Sequence, residues 1–285
     1  MEQKGILIRA VSSFYDVSAG ETVLRCRARG RLRLDGLAPT PGDLVRFKPD
    51  PEHAGFGILT GIEPRKNYFI RPNVANLDQI LFVASAARPA TDPFLIDRMS
   101  VAAAHAGCRF ILCLNKTDSH PGDEIQEIYH QSGIPVIRTS AVTGEGIPDI
   151  LASLQGRLSV LTGNSGVGKT SLLNRILPGL DRKTGEISEK HGRGKHTTRQ
   201  TELFSVGPNS WIADTPGFAS LDVQILTALK PEDLASCFPE FPTDGCRFPD
   251  CRHISEPDCS VRESVLAGKI QESRYQSYLR IIKEL

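Results

Sequence analysis

The stretch GNSGVGKT at residues 163–170 decides the fold of this chain. It matches the pattern G-x-x-x-x-G-K-[ST], a P-loop whose glycine-rich backbone directs successive N–H groups at phosphate oxygens. The apolar, β-branched run at residues 158–162 predicts a strand before the loop, and the apolar spacing of residues 171–177 predicts a helix after it. Because strand, loop and helix follow in this order, the sequence predicts a nucleotide-binding α/β domain.

The roles within the loop follow from its chemistry. Lys169 is predicted to reach the β- and γ-phosphates, which makes it a candidate catalytic residue, and the Thr170 hydroxyl is predicted to bind Mg²⁺. The residues predicted to hold the nucleotide phosphates are Gly163, Asn164, Ser165, Gly166, Val167, Gly168, Lys169, Thr170 and Ser171.

Composition bounds the architecture and the compartment. A chain of 285 residues is longer than one small domain needs, so two or three domains are expected. Lys and Arg number 34 against 33 Asp and Glu, so the net charge of +1 does not by itself indicate a nucleic-acid partner. The start shows no signal-peptide pattern, no run approaches a membrane span, and seven cysteines without an export signal favour reduced thiols or a metal site. We therefore expect a cytoplasmic monomer with no membrane partner.

Residues 1–68 are predicted to form a small domain of short strands. Strands are expected at residues 6–11, 21–27, 44–47 and 57–62, with proline- and glycine-containing turns between them. Short strands with frequent turns favour a five-stranded oligonucleotide-binding (OB) barrel.

Arginine and apolar residues alternate along residues 24–34 of this domain. The arginines are Arg25, Arg27, Arg29, Arg31 and Arg33. Side chains of a strand alternate between its two faces, so all five guanidinium groups would lie on one face and attract a phosphate backbone. The pattern therefore predicts RNA binding, with an ordinary solvated strand face as the alternative.

Residues 69–222 alternate between predicted strands and helices. The expected strands are residues 79–84, 109–114 and 134–138, and the expected helices are residues 95–106, 124–131 and 147–154. This alternation predicts a mostly parallel sheet covered by helices, with its ligand beyond the carboxyl ends of the strands.

An N-K-x-D motif follows the second of these strands, at Asn115, Lys116 and Asp118. A carboxylate at Asp118 can accept hydrogen bonds from both the ring N1–H and the exocyclic amine of guanine, a donor pair that adenine does not present. Asn115 is predicted to brace the base and its loop, and the Lys116 stem is predicted to lie along the ring. Ser140 and Ala141, after the next strand, match the loop whose backbone N–H contacts the guanine oxygen.

A D-x-x-G motif at Asp214 and Gly217 supplies two further candidate catalytic residues. It places a carboxylate near Mg²⁺ through water and a glycine N–H near the γ-phosphate. The basic, glycine-rich residues 183–199 between the two phosphate motifs fit a mobile switch, in which Thr198, or Thr197 beside it, closes on Mg²⁺.

Phe218 follows the D-x-x-G motif, where Ras-like enzymes carry a glutamine that orients the attacking water. An apolar side chain cannot orient water through a hydrogen bond, so either intrinsic hydrolysis is slow or another group substitutes. His196 in the switch is the candidate substitute, because an imidazole can hydrogen-bond water at neutral pH. The alternative is an ordinary solvated loop histidine.

The order of the motifs is unusual. Both base-recognition segments precede the P-loop, whereas ordinary GTPases begin with the P-loop, so the domain is predicted to be circularly permuted. Permutation leads the chain from the second switch directly into residues 223–285, so switch movement can act on that segment.

Residues 223–285 contain three cysteines and one histidine close together: Cys246, Cys251, His253 and Cys259. A Cys₃His set of this kind holds a structural Zn²⁺, with Cys237 as a possible substitute for His253. Little apolar sequence is expected to be available for a core, so the region after residue 240 is predicted to depend on the metal for its fold.

The remaining cysteines and the end of the chain have simpler interpretations. Cys26, Cys108 and Cys113 lie in strand or helix-end contexts and are predicted to be packing thiols. Residues 261–285 are predicted to form one or two amphipathic helices. The basic residues expected to be available there for a partner surface are Arg262, Lys269, Arg274, Arg280 and Lys283.

The combination resembles the small-ribosomal-subunit-dependent GTPases, the bacterial RsgA (YjeQ) family. The resemblance covers nearly the whole chain and rests on the order of its parts: an OB barrel, N-K-T-D before G-N-S-G-V-G-K-T, D-T-P-G-F and a Cys₃His tail. It implies a GTPase that acts in late maturation of the small (30S) ribosomal subunit, is stimulated by that subunit and its rRNA, and leaves after hydrolysing GTP to GDP. It also implies one Zn²⁺ at the four C-terminal ligands. The family often has Ser where this chain has Thr170, an equivalent Mg²⁺ ligand.

Two other functions remain compatible with the residues alone. One is a translation-factor-like GTPase that acts on assembled ribosomes, or a metal-trafficking NTPase whose cysteines carry exchangeable cargo. The other is a non-enzymatic RNA-binding scaffold in which GTP only switches affinity. Multiple-turnover assays with and without ribosomal subunits separate these possibilities.

Overall fold

A computed structural model of the chain describes residues 1–28, 38–70, 73–87, 90–178, 201–214 and 226–285. The described residues form two compact units. The first draws on the described parts of residues 1–78, 153–161 and 185–218, and the second on those of residues 79–152, 162–184 and 219–285. The three consecutive domain ranges expected from the sequence stay a prediction.

The described strands and helices follow one another along the chain with short connections. The strands are β1 (Gln3–Val11), β2 (Phe14–Ala19), β3 (Thr22–Ala28), β4 (Leu44–Pro49), β5 (Phe56–Ile62), β6 (Tyr68–Ile70), β7 (Asn73–Ala75), β8 (Gln79–Ser85), β9 (Arg109–Asn115), β10 (Val136–Thr139), β11 (Leu158–Thr162), β12 (Glu202–Gly207) and β13 (Ser210–Asp214). The α-helices are α1 (Pro93–His105), α2 (Asp123–Tyr129), α3 (Ile147–Leu154), α4 (Lys169–Ile176), α5 (Ser260–Leu266) and α6 (Glu272–Glu284). None of the helices in the described ranges is long and apolar enough to span a bilayer.

A five-stranded barrel closes within the described part of the first unit. Its hydrogen-bonded order is β1-β2-β3-β5-β4, and β4 pairs with β1 to complete the circle. Its core comes from the inward side of each strand and includes Leu7, Val17, Cys26, Phe47 and Leu59, all fully buried. Cys26 is therefore a packing thiol, and burial raises its pKa to about 11. This is the barrel architecture that the short strands predicted.

Strand β2 is absent from the sequence-based expectations. It alternates correctly, with Tyr15 and Val17 buried on either side of Asp16. The intervening carboxylate weakens the apolar signal, but in the barrel it accepts a hydrogen bond from Nε of Arg25 at 3.0 Å on the neighbouring strand. The pairing partner therefore makes an acidic residue acceptable in this strand.

Two polar contacts fix the segment between the barrel and β8. Arg65 donates through Nε and Nη2 to the two carboxylate oxygens of the fully buried Asp43, at 2.6 and 2.7 Å. The Asp78 carboxylate accepts from the backbone N–H of Leu158 at 2.6 Å, and the Asp78 N–H donates to the Leu158 carbonyl. These bonds anchor β11, the strand that leads into the P-loop.

The same unit places β11 parallel to β13, and β12 antiparallel to both β13 and β1. Strand β12 was not expected, because it follows directly on the basic, glycine-rich stretch interpreted as a switch. The bounds of β11 agree with the prediction.

In the second unit, β8, β9 and β10 form a parallel sheet. Every residue of β8 is buried, as expected for a parallel strand covered on both faces. The register pairs Ser85 with Asn115, and Asn115 with Thr139, so the carboxyl ends of the three strands lie side by side. Helix α1 begins where the Asp92 side chain accepts from the Phe94 N–H at 2.9 Å, an N-cap followed by a proline.

The C-terminal region has a substantial apolar core, which corrects the expectation that little apolar material is available there. Its buried members include Leu226, Leu229, Leu234, Cys237, Phe238, Phe241, Val261, Ile270, Tyr275, Tyr278, Ile281 and Ile282. The aromatic rings of Phe238 and Phe241 stack with their centroids 4.9 Å apart. These residues come from separate segments on either side of the cysteines, so no single stretch of sequence reveals the core.

Arg274 is buried, so the prediction that it is available to a partner is wrong. It is 0% exposed, and its Nη1 donates to Oδ1 of Asp97 at 2.6 Å while Nε donates to Glu240 at 2.7 Å. The Tyr129 hydroxyl donates to the same Asp97 oxygen at 2.7 Å. Burial opposes the charge on Arg274, but Asp97 and Glu240 raise the pKa of its guanidinium above the usual value. The network joins α6 to α1.

Candidate functional site

The predicted base-recognition residues lie at the carboxyl ends of neighbouring strands. Asn115 ends β9, Thr139 ends β10, and the two are direct partners in the ladder. The backbone N–H of Thr117 donates to the Thr139 carbonyl at 3.2 Å, which joins the two loops that follow. The structure therefore brings the N-K-x-D segment and the Ser140–Ala141 segment together at one edge of the sheet.

Asn115 links three parts of this edge. It is 1% exposed, and its Nδ2 donates to the Val167 carbonyl of the P-loop at 2.8 Å. Its Oδ1 accepts from the Thr139 hydroxyl and from the Ala141 N–H, both at 3.3 Å. One side chain thus ties the P-loop to the predicted base loop.

Asp118 is held by two hydroxyl groups. The Ser140 hydroxyl donates to its Oδ1 at 2.6 Å, and the Ser119 hydroxyl lies 3.0 Å from its Oδ2. These hydrogen bonds keep the pKa of the Asp118 carboxyl below its usual value, so it is an ionised acceptor at neutral pH. Lys116 precedes it with φ of +69°, a left-handed conformation that a side-chain-bearing residue adopts only where its surroundings hold it.

Two glycines let the P-loop pass close to its supports. A Cβ on Gly163 would lie 2.2 Å from the Val83 carbonyl of β8, and a Cβ on Gly168 would lie 2.3 Å from Nδ2 of Asn115. Both glycines also have φ between +90° and +150°, where side chains are strained. Helix α4 begins at Lys169, so the free N–H groups of its first turn, at Thr170 and Ser171, belong to the loop's phosphate-facing end.

Lys169 remains within the loop. Its Nζ donates to the Gly163 carbonyl at 2.7 Å and also to the carbonyl of Asn164. Burial lowers the pKa of its ammonium group. Ser165, Gly166 and the rest of the predicted phosphate loop lie on either side of these two carbonyls in the sequence.

Three residues around this site were missed by the sequence reasoning. The Thr117 hydroxyl lies 2.9 Å from the Thr139 carbonyl and 2.8 Å from Oε2 of Glu145. Arg175 of α4 donates from Nε and Nη2 to the carbonyls of Ala141 and Val142. Thr117 lies inside the N-K-x-D motif and could have been considered, whereas no local pattern points to Arg175.

Several predicted site residues carry no structural description. Gly217, His196, Thr197, Thr198 and Phe218 lie outside the described residues, as do Arg29, Arg31 and Arg33. Asp214 is the last residue of β13, in the first unit.

Arg25 and Arg27 lie on the exposed side of β3, with Cys26 buried between them, as alternation predicts. Arg25 pairs with Asp16, and the Arg27 guanidinium lies 4.7 Å from the ring centroid of Phe14.

The strand beside them, β5, adds exposed apolar residues that the sequence did not single out. Phe56 and Ile58 are 47% and 38% exposed, and they are the ladder partners of Arg25 and Arg27. Lys48 on β4 is the partner of Ile58 on the other side. We call Arg25, Arg27, Lys48, Phe56 and Ile58 the barrel face.

The four C-terminal ligand candidates converge. One ligand atom from each of Cys246, Cys251, His253 and Cys259 lies within 4.8 Å of all the others. Nδ1 of His253 is 3.6 Å from the Cys246 sulfur and 3.4 Å from the Cys259 sulfur. A tetrahedral Zn²⁺ with ordinary bond lengths of about 2.3 Å to sulfur and about 2.0 Å to nitrogen separates such atoms by roughly 3.5 Å. The donor set therefore fits zinc, with Nδ1 as the histidine ligand.

The surroundings of the cluster favour metal-binding protonation states. Burial lowers the pKa of His253, which keeps the imidazole neutral, and the nearby Ser260 hydroxyl, against the effect of burial, lowers the pKa of the Cys246 thiol. The hydroxyls of Tyr275 and Tyr278 donate to the carbonyls of His253 and Arg252, at 2.8 and 2.7 Å. Helix α6 thus supports the loop that carries the ligands.

Cys237 takes no part in this cluster, which corrects its suggested role as a substitute ligand. It is buried in the C-terminal core, and its sulfur lies 3.6 Å from the Asp233 carbonyl. Cys108 and Cys113 are also buried, as predicted for packing thiols.

Comparison with protein families decides the assignment. Residues 62–224 match the model described as RsgA GTPase, and residues 4–56 match the RsgA N-terminal domain. The chain belongs to the RsgA GTPase family. Membership makes it a GTP-hydrolysing enzyme, as the motifs predicted.

Relatives and solved structures cover the chain from end to end. It is 41% identical to the small ribosomal subunit biogenesis GTPase RsgA of Alkaliphilus metalliredigens, over 99% of this chain and 97% of that protein. It is 42% identical to the protein of the same name from Moorella thermoacetica, over 99% and 97% of the two chains.

Among solved structures, YjeQ from Thermotoga maritima matches with a TM-score of 0.86 and 35% identity, over 100% of this chain and 99% of that one. YloQ, described as a circularly permuted GTPase, matches with a TM-score of 0.83 and 31% identity, over 100% and 95%. These likenesses confirm the predicted fold class, a barrel followed by a circularly permuted GTPase domain and a C-terminal helical region with the cysteine cluster.

One zinc ion is expected to co-purify with each chain. Cys251→Ser should lose it, because three ligands hold the metal far more weakly than four, and should loosen residues 246–259. The buried core and the Arg274 network should keep α6 folded, a narrower effect than the dependence expected from the sequence for everything after residue 240. Elemental analysis and hydrogen exchange measure the two effects.

Cys237→Ala is the matched control, because it removes a buried thiol of the same region outside the cluster. It should retain the full zinc content. Metal-free protein that hydrolyses GTP and shows a protected 246–259 segment would reject the zinc site.

Proposed function

We propose that this GTPase binds the small ribosomal subunit, acts in its late maturation, and leaves the subunit after a GTP hydrolysis that the subunit stimulates. The observation that carries the proposal is the function named for full-length relatives at about 40% identity, small ribosomal subunit biogenesis. A cytoplasmic, monomeric protein is part of the same proposal.

The nucleotide roles proposed for the described residues agree with their geometry. Asp118, ionised and held by two hydroxyls, binds the N1–H and amine of guanine, and the Ala141 N–H binds its oxygen. The P-loop backbone and Lys169 hold the phosphates. Asn115 joins the base and phosphate ends of the site through its bonds to Val167 and Ala141.

The catalytic metal and the switch complete this proposal. Mg²⁺, when bound with GTP, bridges phosphate oxygens and neutralises the charge that develops on them. Thr170 at the start of α4 would hold it, together with Thr198 or Thr197 of the switch and with Asp214 through water. The Gly217 N–H would contact the γ-phosphate, and His196 would orient the attacking water.

The barrel face supports an RNA-rich partner. Arg25, Arg27 and Lys48 supply positive charge around the exposed Phe56 and Ile58. Cations that track phosphates beside an aromatic platform for bases are the usual composition of a single-stranded nucleic-acid surface. A GTPase acting on a small molecule has no use for such a face.

The proposal predicts that small ribosomal subunits accelerate GTP hydrolysis by roughly a hundredfold or more, because a partner that orders the switch supplies the water-positioning group missing at Phe218. The measurement is the multiple-turnover rate with small subunits, with large subunits and with neither. Large subunits should have no effect. Small subunits should bind more tightly in the presence of a non-hydrolysable GTP analogue than of GDP.

The barrel face can be tested in the same assay. The double variant Arg27→Ala with Lys48→Ala should weaken subunit binding and lower the salt dependence of the affinity, since fewer counterions are released. The control is Arg109→Ala with Lys283→Ala, which removes two exposed cations elsewhere. If neither subunit changes the hydrolysis rate and nucleotide state leaves subunit affinity unchanged, the proposed function is wrong.

A further inference from the structure

Arg175 connects the phosphate end of the nucleotide site to its base end. It lies on α4, six positions after Lys169, and its side chain reaches the loop after β10. Its Nε donates to the Ala141 carbonyl at 2.9 Å, and its Nη2 donates to the Val142 carbonyl at 2.7 Å. Two hydrogen bonds from one planar guanidinium fix both the position and the orientation of the peptides they contact.

These carbonyls belong to the two peptides that immediately follow the Ala141 N–H. That loop has little apolar packing of its own, since Val142 is 72% exposed. Its other polar support comes from the Ser140 hydroxyl, which accepts from the N–H groups of Val142 and Thr143 at 3.2 and 3.1 Å. Ser140 therefore fixes the loop on one side and Arg175 on the other.

The geometry points to Arg175 as a positioning residue for guanine specificity, one that holds the Ala141 N–H in place for the oxygen on C6 of the base. The inference rests on the proposed guanine site. Guanine has a hydrogen-bond acceptor at C6, whereas adenine has an amine whose N–H would face the Ala141 N–H. A fixed N–H discriminates between them, but a mobile one can turn away from the wrong base at little cost.

This role differs from that of Asp118, which reads the opposite edge of the base. Asp118 is held by Ser140 and Ser119, and neither bond involves Arg175. Removal of Arg175 is therefore expected to weaken recognition at C6 while recognition of the N1–H and the 2-amino group is retained. Because α4 begins in the P-loop, the same bonds also transmit phosphate binding to the base loop.

The test compares affinities for GTP and two analogues in the full-length protein, by competition with a fluorescent GDP. In 6-thio-GTP a sulfur, a weak acceptor, replaces the C6 oxygen, and in ITP the 2-amino group is missing. Arg175→Ala should weaken GTP binding about threefold to tenfold, the size expected for losing charged hydrogen bonds at a partly solvated site. It should reduce the preference for GTP over 6-thio-GTP by a similar factor and leave the preference for GTP over ITP unchanged.

Two further variants separate positioning from general damage. Arg175→Lys should be intermediate, because an ammonium group cannot hold two carbonyls in the fork geometry of a guanidinium. Arg157→Ala is the matched control, since Arg157 also donates to two backbone carbonyls, those of Ser153 and Gln155, at 3.3 and 3.2 Å. It should leave both preferences as they are. At saturating GTP, kcat of Arg175→Ala should equal that of the unmodified protein, because Arg175 touches no reacting atom.

The outcomes are distinguishable. If both preferences fall together, or neither falls, Arg175 does not position the Ala141 N–H and the inference is overturned. If the unmodified protein binds GTP and 6-thio-GTP equally while still preferring GTP over ITP, the C6 contact does not exist and this inference alone fails. If the unmodified protein shows no preference for GTP over ATP, the proposed guanine site itself is wrong.

Discussion

Asp118→Asn is expected to reverse the base preference of the site, so that xanthosine triphosphate binds better than GTP. The carboxylate accepts from two donors of guanine, whereas an amide presents one acceptor and one donor. The donor opposes the 2-amino group of guanine but matches the 2-carbonyl of xanthine. The ratio of the two affinities should change by about 10⁴-fold, the range reached by sites that lose a hydrogen-bonding partner.

The structure makes this a specific expectation for Asp118. Its carboxylate is oriented by the Ser140 and Ser119 hydroxyls, and its lowered pKa keeps it ionised at the pH of a binding assay. Competition against a fluorescent GDP measures all the affinities on one scale. The matched control is Asp123→Asn on α2, where the carboxylate is 78% exposed and faces Arg138. That variant should keep the preference for GTP, and equal binding of ATP and GTP by the unmodified protein would contradict the assignment.

Arg274→Ala is expected to destabilise the second unit by about 3–5 kcal/mol, the usual cost of removing one partner from a buried charge network. The variant leaves Asp97 and Glu240, which are 0% and 3% exposed, without their shared cation. It also creates a cavity beside Phe238, whose ring centroid lies 4.7 Å from the guanidinium carbon. The measurement is urea unfolding followed by far-UV circular dichroism at constant zinc, because α1 and α6 carry much of the helical signal. Fluorescence of Trp211 would report the first unit instead.

Arg280→Ala is the control on the same helix. Arg280 is 61% exposed, lies over the ring of Phe94, and has Glu284 at 3.7 Å, contacts that are worth no more than about 1 kcal/mol at the surface. A variant that combines Arg274→Met with Asp97→Asn and Glu240→Gln should recover much of the lost stability, because no uncompensated charge then remains buried. Equal costs for Arg274→Ala and Arg280→Ala would show that the network contributes little.

The nucleotide motifs were predictable because their chemistry is local. The P-loop needs a strand, a glycine turn and a helix within about twenty residues, and the spacing of its apolar residues and glycines specifies each part. The observed bounds of α3 and β11 agree with the prediction for the same reason. Once three parallel strands are predicted, their carboxyl ends must meet at one edge, which brings Asn115 beside Thr139.

The elements that were missed have partners far away in the chain. Strands β6 and β7 have three residues each, too few to show a period of two. Strand β12 is completed by β1 and β13, and β2 contains an aspartate that only its neighbour Arg25 accommodates. A strand is stable only when its backbone groups are paired, so the partner decides as much as the strand's own composition.

The sequence by itself determined the GTPase motifs, their permuted order, the barrel and the four ligand candidates, because each depends on residue types at short spacing. It did not determine the roles of the arginines. Arg274 was expected on a partner surface, yet it is buried against Asp97, 177 positions away, and Arg175 braces carbonyls 33 and 34 positions away. An arginine has a long stem and five donors, so whether it faces solvent, a carboxylate or a backbone carbonyl depends on what the tertiary structure places within its reach.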